Sequence, residues 1–566
     1  MIVAKERKVE PIIFDTTLRE GFQTPGGIGA SLDERVYVTA LIQRYAHWVE
    51  LGMPANNVDY GIISAIRDRF LEENYDVGIA VLARCNPKDI GRSEEVMENY
   101  PNNLIHLFVG TSNQHRGARF STPKKVEEYE ELIRSSVGDA ASRATFSRVM
   151  FSPEDSYRTW DQDHKLLIDF IKAAKEGYDN GNTKVGRGTR FIFNLPDTVG
   201  YSTNAEFGRM IRHVQRVFGN TVELSIHGHN DIGTAQSQVF DVYERYGIQW
   251  LQTTFGQLGE RNGIGSTDRT VKILADRGYL TDPRIVSEEN LKELDPVTKA
   301  VLWALGRDLP DEHLDRINIS TAGIHSDLAI KNPLTYHIHT DRFGSEPTIE
   351  LGPTSGTTQV MDLLNNSKVS YNPEGIPAFT DKLKEEANKR KSPLSVTHII
   401  YEALIAFNGK RREDGLQIAY FDITTTSYGR TKLYVEGTVD GSSFSSTHES
   451  KGPVEVTMEL LSRIINEHRN VQDEISLVDY KTRIIPVIGP EYLKWKVGSS
   501  PKIPQNIGKD AHQAISVTFK NGSGTYQGWA RHENSTIAEV GAVVDGMSKM
   551  YALQKWMNPG NSTGQR

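Results

Sequence analysis

The chain has 566 residues, 65 basic against 73 acidic and a formal net charge of −8, which is too long for one ordinary domain and predicts two or three with ample cores. So mild an acidity, with no block of lysines and arginines, argues against nucleic acid as a partner. The one cysteine, Cys85, excludes an internal disulfide framework and predicts a packed thiol; with no signal-like N-terminus and no run near the roughly 18 apolar residues of a spanning helix, a soluble cytoplasmic protein is expected.

From residue 12 to about 280, short apolar runs alternate with longer amphipathic ones. The runs read as strands are Ile12–Asp15, His47–Met53, Asp76–Arg84, Asn103–Ser112, Ser147–Glu154, Arg190–Asp197, Glu223–His229 and Trp250–Phe255. Helical periodicity lies between them, as in Leu32–Tyr45, Pro123–Ser135, His164–Gly177, Asn204–Phe218, Thr234–Tyr246 and Ser266–Arg277. Eight strand-then-helix units imply parallel strands and suit a closed (β/α)8 TIM barrel, whose functional residues collect at the carboxyl ends of the strands.

Those ends are chemically distinctive. The first run empties into Asp15-Thr16-Thr17-Leu18-Arg19-Glu20-Gly21-Phe22-Gln23, followed by Pro25 and two glycines. Arg19 suits a carboxylate and Glu20 a hard cation, although an Arg-Glu pair standing alone is more often a surface ion pair. The seventh run closes with His227-Gly228-His229-Asn230-Asp231, and strand alternation puts both imidazoles on one face, where they can reach one ion. Glu154 and Asp197-Thr198 also fall at strand ends.

Beyond the barrel come a helical, charged stretch from Ser287 to about His313, the segment Thr321–Asp327, and a helical region over Ala378–Phe407. The polar, glycine-containing Asn408–Gly415 marks a boundary. We therefore expect a catalytic barrel over 1–285, helical linker subdomains over 286–413 and a C-terminal α+β domain over 414–566. In the last, Ala419–Thr426, Thr431–Asp440 and Ser443–Glu449 alternate like strands before a helical Val454–Glu467. Ala514–Phe519 and Gly524–His532 do so before Ser535–Gln554, with Tyr480–Asp510 as a connection. This reads as an internal repeat of strands and one helix.

Asp15–Gln23 resembles the Asp-x-Thr-Leu-Arg-Asp/Glu-Gly-x-Gln signature, and His227–Asp231 the His-x-His-Asn-Asp signature, of the DRE-TIM metallolyases, within them the 2-isopropylmalate, citramalate and homocitrate synthases. Further matches are Phe151–Asp155, Leu195–Gly200, Gly259–Gly263, Gly323–Asp327 and Lys331-Asn332-Pro333 with Tyr336. The resemblance implies a condensation of acetyl-CoA with a 2-oxo acid on a divalent metal ion (Mg2+, Mn2+ or Zn2+), followed by thioester hydrolysis. It implies a metal on Glu20, His227 and His229, and substrate contacts from Arg19, Gln23, His106, Ser152 and Thr198. Catalytic roles fall to Arg19, Glu154, His325 with Asp327, and Tyr336. Two positions depart from the isopropylmalate pattern toward the homocitrate one: Glu20 stands where Asp is usual, and Ile264 where an Asn accompanies the metal. Small Ser152, His106 and the C-terminal repeat favour 3-methyl-2-oxobutanoate as the acceptor, making 2-isopropylmalate for leucine biosynthesis. Homocitrate and citramalate synthase activity, or a non-catalytic regulatory barrel, are the alternatives. The resemblance further implies a homodimer or higher homo-oligomer and an allosteric C-terminal domain with an amino-acid effector.

Overall fold

The computed structural model describes residues 9–25, 29–119, 125–188, 190–307, 319–320, 342, 348–349, 351–352, 355–390, 393–426, 430–469, 474–485, 512–522 and 524–557. The chain divides into two compact units near residue 319.

The first unit is the expected barrel. Its strands are β1 (Ile12–Asp15), β2 (Trp48–Glu50), β3 (Gly78–Arg84), β4 (Asn103–Gly110), β5 (Arg148–Glu154), β6 (Phe191–Asp197), β7 (Val222–Gly228) and β8 (Trp250–Thr253). They run parallel in sequence order, and β8 closes on β1 by pairing Ile12 with Trp250 through Asp15 with Thr253. Strands of this kind are covered on both faces, which is why they read as continuous apolar runs rather than as alternation. Intervening helices begin at side-chain caps, such as the boxes formed by Ser31 with Glu34 and Thr203 with Glu206.

Inside the barrel, Phe14, Trp48, Ala80, Leu104, Met150, Ile192 and Trp250 pack into one layer, so the lower lumen is filled and not a pore. Gly78 belongs to that layer by what it lacks: a Cβ there would meet the Trp48 ring at 2.4 Å. The barrel unit continues past residue 285. Helix Glu288–Ala304 lays Leu291, Leu294, Val297, Val301 and Leu302 into the same apolar core, and the Tyr45 hydroxyl donates to the Asn290 carbonyl at 2.7 Å.

The second unit opens with a two-residue parallel pair, β9 (Ile319–Ser320) and β10 (Thr348–Ile349), and helix Thr357–Asn366. The helical region expected over Ala378–Phe407 is two helices, Ile376–Arg390 and Val396–Phe407. Pro393 lies between them, where a missing N–H and a fixed φ stop the first from running on. Two antiparallel sheets follow. β11 (Leu416–Thr425), β12 (Thr431–Val439) and β13 (Ser442–Ser450) precede helix Pro453–Arg469; β14 (Ser476–Ile485), β15 (His512–Asn521) and β16 (Gly524–His532) precede helix Ser535–Met557. The expected repeat is present with one more strand than was read. The stretch assigned to a connection from Tyr480 begins inside β14, and a register shift between Leu477 and Asp479 breaks the period of two that would have revealed it.

Candidate active site

The turn after β1 is held from both sides. Thr16 N–H donates to the Thr253 carbonyl at 2.8 Å, and Glu20 N–H to the Thr16 carbonyl at 2.8 Å. Fully buried Asp15 accepts from Thr17 N–H at 2.9 Å and from the Thr267 hydroxyl at 2.6 Å. Burial pushes its carboxyl up to about 6 against those two hydrogen bonds. With Leu18 tucked into the core, Arg19 and Glu20 face the mouth of a cavity of about 210 Å³ at the carboxyl ends of the strands.

There the structure brings Glu20, His227 and His229 together. One ligand atom from each lies within 4.8 Å of the others. The two Nε2 atoms face one another at 3.3 Å, with Glu20 oxygens 4.0 Å from His227 and 3.9 Å from His229. His227 Nδ1 sits 3.0 Å from the amide oxygen of Gln252, so Nδ1 carries the proton and the Nε2 lone pair is free for a cation. Burial, then the neighbouring His229, pushes His227 down to about 3, and burial lowers His229 as well. Both rings are therefore neutral at neutral pH, as metal ligands must be. Burial raises the Glu20 carboxyl, but the Arg19 charge, the two histidines and the Glu260 N–H outweigh it and hold it at about 2. An ionised carboxylate and two neutral imidazoles, converging with no donor among the described residues to satisfy both lone pairs, form a donor set that fits one divalent cation.

Arg19 is fixed by a residue that the sequence reading did not single out. Its guanidinium pairs with Glu20, and its Nε donates to Glu50 at 2.7 Å. Glu50, at the end of β2 and wholly buried, also accepts from the Thr16 hydroxyl at 2.6 Å and from His106 Nδ1 at 2.8 Å. Burial would raise its carboxyl, yet the Arg19 charge followed by His106 holds it well below the usual carboxylate range. The other ring nitrogen of His106 meets the Ser152 hydroxyl at 2.6 Å, and Asn194 Nδ2 donates to that hydroxyl at 2.8 Å. A continuous polar relay thus crosses the barrel interior from Arg19 to Asn194. Glu50, Asn194 and Gln252 share one sequence signal, a polar residue following apolar ones within a strand run.

The remaining predicted residues divide in two. Gln23, Glu154 and Thr198 line the same cavity. The Thr198 hydroxyl accepts Asp155 N–H at 2.8 Å, which leaves its own proton to donate. Ile264 is buried and bridges His229 backbone to backbone, so position 264 presents no ligand. His325, Asp327 and Tyr336 lie outside the described residues.

The model of the family described as HMGL-like matches residues 10–301, more than half of the chain. The 2-isopropylmalate synthase of Pyrococcus abyssi is 28% identical over 472 residues, 81% of this chain and 90% of that one. That of Parasynechococcus marenigrum is 26% identical over 568 residues, 96% of this chain and 95% of the other. Among solved structures, the Bacillus subtilis HMG-CoA lyase superposes with a TM-score of 0.43 at 17% identity, covering 55% of this chain and 99% of that one. With the family match spanning the whole barrel and both halves of the cluster at its mouth, the chain belongs to the HMGL-like family.

Proposed function

We propose that the protein condenses acetyl-CoA with a 2-oxo acid and hydrolyses the resulting thioester, with 3-methyl-2-oxobutanoate as acceptor and 2-isopropylmalate as product. The observation that carries this is the convergence of Glu20, His227, His229 and Arg19 on one small cavity that Glu154 and Thr198 also line. The names borne by the relatives support the same chemistry.

A divalent cation held by Glu20, His227 and His229 would polarise the ketone of the oxo acid and neutralise the negative charge that grows on its oxygen. Arg19, clamped between Glu20 and Glu50, supplies a fixed positive charge beside that oxygen and needs no reorganisation during the reaction. Thr198 donates its hydroxyl proton to the acceptor's carboxylate. Glu154, half-buried at the end of β5, accepts a proton from the acetyl methyl, a very weak acid that needs a positioned base. We assign the remaining proton transfers to His325, oriented by Asp327, and to Tyr336. His106, Ser152, Leu82 and Pro196 form the wall against which the acceptor's side chain rests, and a small residue at 152 leaves room for a branched one. A second acceptor, 2-oxoglutarate, is favoured by Glu20 and by Ile264.

The C-terminal repeat we assign to feedback by leucine. Within it, a groove of about 660 Å³ is lined by Lys451, Pro453, Met458, Glu459, Ile475 and Leu477, combining an apolar wall with charged side chains of both signs. Free-thiol release from acetyl-CoA, measured with a panel of 2-oxo acids with and without added divalent metal, tests the whole reading. Thiol release with 3-methyl-2-oxobutanoate supports it, preference for 2-oxoglutarate or pyruvate replaces the acceptor, and no metal-dependent release with any acid leaves a non-catalytic barrel.

A further inference from the structure

One cluster at the cavity mouth is not used by the chemistry above. His115, on the short helix Asn113–Arg119 after β4, turns its ring back toward the barrel. The end of β4 makes room for it: a Cβ on Gly110 would meet the ring's own Cβ at 2.6 Å and its Cδ2 at 2.9 Å. Its Nδ1 is gripped by the Asp155 carboxylate at 3.2 Å and the Ser112 hydroxyl at 2.9 Å, which leaves Nε2 directed at Glu154 Oε1, 3.8 Å away.

Asp155 is itself immobilised. It is fully buried and sits at φ 65°, ψ 41°, a left-handed conformation uncommon for a residue other than glycine. Its N–H donates to Thr198, and Arg158 holds its Oδ2 through Nε at 2.7 Å. The backbone of Glu154 is pinned too, because Thr111 donates both its N–H and its hydroxyl to the Glu154 carbonyl at 2.9 Å. The Glu154 carboxylate stands beside the His115 ring.

We propose that His115 is a positioning residue for Glu154: its protonated ring, anchored at Nδ1 by Asp155, holds the Glu154 carboxylate ionised and directed into the cavity. This rests on the reading that Glu154 acts as the base. Among the described residues, the charges facing the ring are Asp155 and Glu154 from the end of β5, which favour its protonated form, and Arg158 from the following helix, which opposes it. The hydrogen bond to Asp155 outweighs burial and raises the ring's affinity for its proton. A cation this near a carboxylate favours its ionised form, and the partial exposure of both groups moderates the effect.

The test is the pH profile of kcat/KM for His115→Gln, which keeps a donor toward Asp155 and loses the charge. The expected result is an acidic limb moved up by about one pH unit, a loss of about tenfold below the limb, KM for the oxo acid within twofold, and a limb restored by His115→Arg. A uniform loss at every pH, or a profile superimposable on wild type, would overturn the proposal. A fully active Glu154→Gln enzyme would instead sink the base assignment. The coupling has its own readout: in full-length enzyme labelled with 13C-histidine, Glu154→Gln should lower the midpoint of the His115 resonance, identified by its loss in His115→Gln. An unmoved midpoint refutes the coupling whatever reaction the protein performs.

Discussion

Removing the charge of Glu50 should damage the protein twice, in stability and in the geometry of Arg19. Glu50 has no exposed surface and accepts three hydrogen bonds, from the Thr16 hydroxyl, Arg19 Nε and His106 Nδ1. In Glu50→Gln the amide oxygen can still accept, but its NH2 must then face a second donor, either the guanidinium or the imidazole. One buried donor loses its partner and the Arg19 cation loses half of its compensation. Breaking one side of a buried ion pair costs about 3–5 kcal/mol; because Glu20 still pairs with Arg19, the low end applies, about 3 kcal/mol. The sign of the pH dependence follows from the depressed carboxyl: the Glu50 contribution is complete above the unfolded value near 4.3 and is lost as pH falls through the folded value. Urea unfolding of the full chain, followed by tryptophan fluorescence, should therefore show the same deficit at pH 7.5 and pH 5.5. A deficit under about 1 kcal/mol, or one that disappears between those two pH values, would show that the network is not the buried, charge-compensated unit described. Thiol-release activity should fall in parallel because Arg19 loses its clamp.

Three further outcomes are expected. His227→Ala and His229→Ala should each retain native circular dichroism while bound Mn2+ or Zn2+ per chain, read by elemental analysis after dialysis, falls close to zero; retained metal in both would remove the centre. For Asp15, whose folded value is raised to about 6, wild-type stability drops as pH rises through that range. The stability of Asp15→Asn relative to wild type should then climb by up to about 3 kcal/mol between pH 4 and 7.5, and a pH-independent difference would contradict it. Thr198→Val removes the hydroxyl that accepts Asp155 N–H and donates into the cavity, so KM for the oxo acid should rise about tenfold, the worth of one hydrogen bond to a charged group; an unchanged KM would take Thr198 out of acceptor binding.

Strand positions were legible because buried parallel strands write themselves as apolar runs. β1 is Ile12–Asp15 and helix Asn204–Phe218 has the expected bounds; both end at sharp changes in polarity. The same-face argument for His227 and His229 needed only the period of a strand. Glu50, Asn194 and Gln252 were harder to read, because a polar residue in an apolar run announces burial but not its partner. Glu50 meets Arg19 across 31 residues and His106 across 56, and those meetings depend on the order in which strands wrap around the barrel. The register shift of β14 hides its period of two, and the break between helices Ile376–Arg390 and Val396–Phe407 lies within a stretch of consistently helical composition.

The packed layer beneath the cavity has a consequence for traffic. With Phe14, Trp48, Met150 and Trp250 filling the lumen, the chamber is closed below, and among the described residues whatever goes in has to come out by the same opening. A space of about 210 Å³ accommodates a small acid but not a coenzyme A thioester, whose acyl end can only reach down from above. The larger molecule standing over the opening would, on the proposed chemistry, bar the smaller one from arriving or leaving. On the proposed chemistry the acid must therefore be seated first and the coenzyme must depart before the elongated diacid, so the well imposes a queue on the reactants that no single residue encodes.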